Sequence, residues 1–359
     1  MASEKIKLCI LFGGKSSEHE VSLSSSYGVL SNVDRDVFDV VSIGITKEGK
    51  WYLFEGDTEE IKNGTWCKNT EELKSVLIDP APGEDNFIAV SPDGTMTKFG
   101  VDVVFPVLHG AYGEDGTLQG LLSLAGIPYV GPDHTSSGVC MDKAFAKQII
   151  NEAGIRQAKT VIAVKHSYEK DPERLKEQIR ELGYPVFVKP SRAGSSVGVS
   201  KVKSEDGLEK ALERAFREDS KVLVEEYIKG RECEVAVMEA GGEIIASVPG
   251  EIDPGCEFYD YETKYENDTA SYYIPARLDE AQVKKIRDEA VAIFEALDCR
   301  TLSRVDFFVC DDGEIVFNEI NTIPGFTPIS MYPKLFIHSG MTYGEVITKL
   351  VKSALVKER

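Results

Sequence analysis

Ser303-Arg304-Val305-Asp306-Phe307-Phe308-Val309-Cys310-Asp311-Asp312-Gly313-Glu314-Ile315-Val316-Phe317-Asn318-Glu319-Ile320-Asn321 is two largely apolar runs around an Asp-Asp-Gly turn. Asp-Gly between such runs is a hairpin signal, so Ser303 to Cys310 and Glu314 to Asn321 are predicted to pair antiparallel. Side chains alternate along a strand, which puts Glu319 and Asn321 on one face, and Arg304 and Asp306 on one face of the neighbouring strand. Two carboxylates, an amide and a guanidinium then converge. Oxygen ligands of this kind, few in number and backed by phosphate oxygens, are how proteins hold Mg2+ on a nucleotide. The alternative is a surface hairpin in which Arg304 and Asp306 merely pair, and it explains the apolar neighbours less well.

Upstream of the hairpin, Val283, Ile286, Ala290, Ile293, Phe294 and Leu297 fall on one helical face, which reads as core packing. Further back, a strand at Pro185 to Lys189 runs into Gly194-Ser195-Ser196-Val197-Gly198, where closely spaced N–H groups and hydroxyls can fold over phosphates with Lys189 as a point charge. Lys143, at the start of a helix running from Asp142 to about Ala153, reads by itself as a solvated charge. Strands are expected at Thr160 to Val164, Lys221 to Glu225, Glu232 to Glu239 and Glu243 to Pro249, with helices at Pro172 to Leu182 and near Glu205 to Arg217. The Tyr-, Asp- and Gly-rich stretch Asp253 to Ile274 has no period and is expected to be a long functional loop.

The chain opens with an apolar run, Ile6 to Phe12, then Gly13-Gly14-Lys15-Ser16-Ser17-Glu18, which reads as a buried strand, a tight turn and a helix start. A P-loop is rejected, because the glycine it requires five positions before Gly14-Lys15 is Cys9. Glu18 then lies at a helix N-terminus, where simple dipole complementarity accounts for it. Strands at Val40 to Ile45 and Val101 to Val107 and a helix at Thr117 to Ala125 give an α/β pattern, expected to form a parallel-sheet domain. The loop His109 to Gly116 follows a buried strand, where open α/β sheets place ligands, and its lone histidine is as readily structural as functional.

Length and composition are compatible with this division. The 359 residues exceed what one core usually serves, and 42% hydrophobic with 28% charged residues suits folding throughout. A net charge of −19 argues against nucleic acid as a partner. Seven scattered cysteines without a Cys-x-x-Cys pair argue against a disulfide framework or zinc cage, and fit a reducing cytoplasm. No apolar run is long enough for a membrane span, and Met1 to Lys5 leads into a strand without the core of a signal peptide.

Taken in order, the Gly13 to Leu23 block, the His109 to Gly116 loop, Met141-Asp142-Lys143, and Lys189-Pro190-Ser191-Arg192 through Gly198 resemble the D-alanine-D-alanine ligases of the ATP-grasp superfamily. Phe258 to Tyr265, Ser303 to Phe307, and Glu319-Ile320-Asn321-Thr322-Ile323-Pro324-Gly325-Phe326-Thr327 complete the match over nearly the whole chain, the last two being the most specific. The resemblance implies a three-domain α/β ATP-grasp fold: an N-terminal Rossmann-like domain (1–131), a central subdomain with the glycine loop (132–226) and a C-terminal subdomain with the metal site (227–359). It implies ATP, two Mg2+ or Mn2+ ions with room for a monovalent cation such as K+, two D-alanine molecules, a homodimer, and a cytoplasmic role in peptidoglycan synthesis.

By position, the resemblance gives Lys143 and Lys189 to the ATP phosphates and closes Ser195 and Ser196 over them. It gives Glu225, Glu226, Tyr227, Ile228 and Glu232 to adenine and ribose, with Phe308 and Asn318 added to the nucleotide contacts. Asp306, Glu319 and Asn321 would bind the metal ions, with Glu319 bridging. Arg304 and the backbone N–H of Gly325 would stabilise an oxyanion. Glu18 would meet the first substrate's ammonium and, with Ser195 and Tyr265, latch a lid; His109 would line the substrate site. Lys264, also assigned to the nucleotide, would join Ser330 and Met331 around the second substrate. Related enzymes that make D-alanyl-D-lactate lack the Tyr-containing loop sequence, and D-alanyl-D-serine makers tend to carry arginine at the Met331 position, so D-alanine is the expected second substrate. A D-serine ligase and a nonenzymatic ATP-binding protein are the alternatives. Thr301 departs from the family pattern, in which glycine is commoner.

Overall fold

The computed structural model describes residues 4–253, 255 and 271–356. Its first strand, β1 (Ile6–Gly13), is buried from Leu8 onward and lies between β2 (Phe38–Ile45) and β7 (Val103–Val107), parallel to both. At its end Gly13 takes a φ of 89°, and a Cβ there would come 2.2 Å from the Ile45 carbonyl oxygen, so the turn into helix α1 (His19–Asn32) admits only glycine. Beyond β2 the sheet departs from expectation. Strands β3 (Trp51–Phe54), β4 (Lys74–Ile78), β5 (Phe87–Val90) and β6 (Met96–Phe99) continue it as an antiparallel meander, giving the order β6-β5-β4-β3-β2-β1-β7. The sheet is therefore mixed, not wholly parallel. Helix α2 (Thr58–Lys62) interrupts the meander, and α3 (Thr117–Leu124) follows the His109 loop.

A second sheet has the order β10-β9-β11-β8, from β8 (Thr160–Val164), β9 (Val186–Pro190), β10 (Ser200–Val202) and β11 (Lys221–Glu226), all antiparallel. Among the described residues a third contains β12 (Gly230–Ala240), β13 (Glu243–Ala246), β14 (Gly250–Asp253), β15 (Ser271–Tyr273), β16 (Leu302–Cys310) and β17 (Ile315–Asn321). Of the stretch Asp253 to Ile274 expected as a long loop, both ends include strand, Ser271–Tyr273 pairing residue by residue with Glu251 to Asp253 of β14, and the residues between them, apart from Gly255, lie outside the described residues.

The cores tie the sheets together. Helices α4 (His134–Met141) and α5 (Lys143–Glu152) send Cys140, Ala146 and Ile150 into the core under the third sheet, with Val235, Phe307 and Phe317. Phe326 packs edge-to-face on Phe105 of β7 at 5.3 Å and against Tyr332, joining the first sheet to the helix Met331–His338. The helix whose apolar face was expected to pack in the core is Glu280–Ala296, which buries Ile286, Ala290, Ile293 and Phe294 and is started by a capping box in which Asp279 and Gln282 satisfy each other's backbone N–H. No helix of the described residues is long and apolar enough to cross a membrane.

Candidate active site

The β16/β17 hairpin forms as expected, with one addition. Arg304 lies opposite Asn321 and Asp306 opposite Glu319, but Phe307 pairs with Phe317, so Asn318 is an extra residue, a β-bulge. Strict alternation would put Phe317 on the same face as Glu319. The bulge resets the phase, so Phe317 enters the core while Glu319 and Asn321 face the cleft.

There the predicted groups meet. Arg304 donates from Nε and Nη2 to the two Asp306 oxygens, both at 2.8 Å, and Asn321 Nδ2 donates to Asp306 Oδ2 at 2.9 Å. Lys143 Nζ stands 3.4 Å from Glu319 Oε2 and donates to the Ala193 carbonyl at 3.0 Å. Burial disfavours the Arg304 charge, but Asp306 and Glu234 outweigh it and hold the guanidinium above its ordinary pKa.

These residues border a cavity of about 610 Å³ between the three sheets. Its other wall is the glycine loop. Ser195 and Ser196 have φ of 48° and 57°, left-handed conformations that non-glycine residues adopt at a cost. The strain turns the Ser195 hydroxyl across the cleft, where it donates to Glu18 Oε1 at 2.5 Å. Glu18 is therefore more than a dipole complement, because it joins the first sheet's helix to the loop of the second.

At one end of the cavity, Glu225 is held from both sides, by Lys189 at 2.8 Å and Lys147 at 3.1 Å. Burial pushes the Glu225 carboxyl pKa up, and the two ammonium groups more than reverse this, leaving it below its usual value. Glu226 instead accepts from Lys159 N and Arg156 Nη2, and the Tyr227 ring lies beneath the Lys201 ammonium at 4.1 Å. Ile228, Glu232, Phe308 and Asn318 border the same cavity.

At the far end, Ser330 Oγ accepts from Thr327 N at 3.0 Å and would meet a Cβ on Gly325 at 2.7 Å, so the turn over Gly325 is kept tight by glycine. Met331 starts the next helix and lies against Gly250, where an added Cβ would come 2.2 Å from its Cε.

His109 is placed differently from the expectation. It does not border the cavity. Buried behind it, the ring makes contacts of 3.0 Å from Nδ1 to the Ile323 carbonyl and 2.9 Å from Nε2 to Ser25 Oγ. Ser25 Oγ also accepts from Phe326 N, so Nδ1–H donates to Ile323 and Nε2 accepts from the serine. The ring thus supports the backbone on both sides of Gly325. Lys264 and Tyr265 lie outside the described residues.

Thr301 has a φ of 55°, which a β-branched residue resists, yet its hydroxyl accepts from Gly131 N at 2.6 Å. That buried bond ties the turn before β16 to Gly131.

Among the charged groups that escaped the sequence reading, Glu114 and Glu234 border the cavity, and Lys147 pairs with Glu225, which does. Lys147 is four residues from Lys143 on the same helix face, and Glu234 alternates with Glu232 on β12, so periodicity held the signal for both. Glu114 was inside the glycine loop already singled out. Burial, reinforced by Glu18, pushes its carboxyl up to about 8.

The donor set suits a divalent ion. Among the described residues no three His, Cys, Asp or Glu side chains form a metal cage, but a nucleotide-bound ion needs only one or two carboxylates with phosphate oxygens beside them. Asp306, Glu319 and Asn321 supply these, and their charge is met here by Arg304 and Lys143.

Comparison with known proteins agrees. The family models for the D-ala D-ala ligase N-terminus and C-terminus match residues 7–132 and 149–352. The chain is similar to a D-alanine--D-alanine ligase of Clostridium acetobutylicum, 47% identical over 354 residues, covering 98% of each chain. It is similar to D-alanine--D-alanine ligase B of Clostridium tetani, at 45% identity with 98% of this chain and 94% of that one covered. Among solved structures it resembles the VanG D-Ala:D-Ser ligase from Enterococcus faecalis, with 42% identity, TM-score 0.89, and 98% and 100% of the two chains covered. With both halves of the family matched and the site geometry in place, the chain belongs to the D-alanine-D-alanine ligase family of ATP-dependent enzymes.

Proposed function

We propose that the protein joins two D-alanine molecules into D-alanyl-D-alanine, with ATP converted to ADP and phosphate, in the cytoplasm for peptidoglycan synthesis. The observation that carries this reading is the meeting of Arg304, Asp306, Glu319 and Asn321 with Lys143 and Lys189 across one cavity. A passive ATP-binding module has no need of an oxyanion arginine beside metal carboxylates. Two Mg2+ or Mn2+ ions held by Asp306, Glu319 and Asn321 would neutralise the phosphate oxygens during transfer.

The residues of the chain have separate tasks. Lys143 and Lys189 place the γ-phosphoryl group, which passes to the carboxylate of the first D-alanine and leaves ADP. Glu18 holds that substrate's ammonium. The amine of the second D-alanine attacks the acyl phosphate, and the tetrahedral species loses phosphate and a proton to leave the peptide bond. Arg304 and the N–H of Gly325 face the developing oxyanion, an effect worth about 3 kcal/mol per donor in other enzymes. The Ser195–Glu18 bond keeps the loop closed, which excludes water from the acyl phosphate.

We take the second substrate to be D-alanine rather than D-serine because Met331, an apolar side chain, stands at that end of the cavity. The likeness to the D-Ala:D-Ser ligase makes D-serine the second reading. Phosphate release from ATP with D-alanine, D-serine or D-lactate as acceptor tests the choice, and no release with D-alanine alone would remove the proposal. Replacing Glu319 by Gln is expected to abolish turnover with the fold intact; near-normal turnover would refute the metal assignment. A homodimer is the assembly proposed, and light scattering that reads the mass of one chain would overturn it.

A further inference from the structure

Three carboxylates stand in a row across adjacent strands of the third sheet: Glu234 on β12 opposite Asp306 on β16, itself opposite Glu319 on β17. Arg304 belongs to the middle of this row. Its Nε lies 2.8 Å from Asp306 Oδ1 and 3.2 Å from Glu234 Oε2, and its Nη2 is 2.8 Å from Asp306 Oδ2. The guanidinium is thus shared by two carboxylates, both almost wholly buried. Asp306 is doubly forked, and Asn321 takes a further lone pair on Oδ2.

A carboxylate occupied in this way ligates a divalent ion only in competition with its present partners. Three of its roughly four lone-pair sites accept hydrogen bonds, and a dication placed on Asp306 repels the guanidinium on the same oxygens. When metal binds, the fork must open. An arginine set loose in a buried cleft without a counter-charge would be costly or would leave, and the oxyanion would lose its donor. The sheet provides the second anion at the required place. We propose that Glu234 is a positioning residue: it keeps Arg304 in the cleft when a divalent ion takes Asp306, so that metal loading frees the arginine's Nη2 for the reacting oxyanion. Two cations and two carboxylates then match. This rests on the assignment of Asp306 as a metal ligand.

The test is Mn2+ binding in the presence of ADP, read as free Mn2+ by electron paramagnetic resonance without turnover, in wild type, E234Q, R304M and the double variant. Without Glu234, Arg304 has only Asp306 to pair with and competes harder with the ion. E234Q should therefore weaken Mn2+ binding about tenfold, the size of one close ion pair in a partly dry cleft. With R304M as background the same substitution should cost distinctly less, and the sign of this coupling decides the matter. An equal or greater loss in the R304M background overturns the proposal, since Glu234 would then act on the ion directly through space. If E234Q does not fold, the cycle is run with E234D, whose shortened carboxylate must give a smaller loss in the same direction. D306N separates the two readings. If D306N binds Mn2+ as tightly as wild type, the metal assignment fails; if D306N abolishes binding while E234Q leaves it unchanged, the role of Glu234 alone fails.

Discussion

Replacing Lys147 by Met should weaken ATP binding although Lys147 was not among the residues expected to touch ATP. Glu225 is 5% exposed and is neutralised by two ammonium groups, Lys189 at 2.8 Å and Lys147 at 3.1 Å. In the free protein the K147M variant still pairs Glu225 with Lys189, so the loss is that of one charge-assisted contact, about 2 kcal/mol of stability. ATP adds to this. Lys189 is also the lysine proposed for the phosphates, and a Lys189 that turns to them in the K147M variant leaves Glu225 buried without either ammonium. Stranding a buried charge costs about 3–5 kcal/mol, so about 2 kcal/mol beyond the loss in the free protein falls on nucleotide affinity, or roughly 30-fold in Kd. Calorimetric titration with a nonhydrolysable ATP analogue and thermal unfolding measure the two parts separately. K147R, which keeps the charge, should recover most of the affinity, and K147M/E225Q should recover affinity as well, because no carboxylate is then left stranded when Lys189 turns to the phosphates. An analogue affinity within twofold of wild type in K147M would refute the shared-clamp reasoning.

Other outcomes follow from the same geometry. Ser195→Ala removes the hydroxyl that donates to Glu18 at 2.5 Å; a part-exposed bond to a carboxylate is worth about 1.5 kcal/mol, so coupled turnover should fall roughly tenfold and ATP hydrolysis without dipeptide should rise, whereas unchanged coupling would show that the bond is no latch. Met331→Arg puts a cation at the second-substrate end and should raise D-serine use relative to D-alanine by about tenfold, read as the ratio of kcat/KM values; no change would mean that the side chain does not face the substrate. Glu114 has a folded-state pKa raised from 4.5 to about 8 by burial and by Glu18, with Arg304 and Lys143 opposing. A raised pKa means the folded state binds the extra proton, so its stabilisation is fully present below pH 4.5 and is lost progressively as pH rises through about 8. Glu114→Gln should flatten the stability profile across that window in chemical denaturation, and an unaltered slope would show that Glu114 ionises normally.

Much of the site was legible because its signals are local. A turn at Asp312-Gly313 and the two-residue period of strands put Arg304 with Asp306, and Glu319 with Asn321, on one face of their own strands, but it is the register shift between Asp306 and Phe307 that sets the two pairs opposite each other. The bulge at Asn318 was not legible, since an unpaired residue is defined by its partner strand. The β3–β6 meander was missed because four- and five-residue strands hold too few residues to show a period. His109 was ambiguous for another reason: whether a histidine in a glycine-rich loop faces a ligand or the protein depends on what packs behind it, here Ser25 and the Ile323 carbonyl, the latter 214 residues away.

The sequence by itself determined the α/β class, the hairpin with Arg304 beside Asp306 and Glu319 beside Asn321, the lysine before the glycine loop, and through its ordered blocks the family. These rest on near neighbours in the chain, where periodicity and turn chemistry act. Only the tertiary structure decided that Ser195 reaches Glu18, that Lys147 shares Glu225 with Lys189, and that Glu234 and Asp306 share Arg304. Each of these pairs a charge with a group far off in sequence or on another element. Such pairing is settled by which buried charge would otherwise stand alone, a question that arises only once the cores have brought the sheets together.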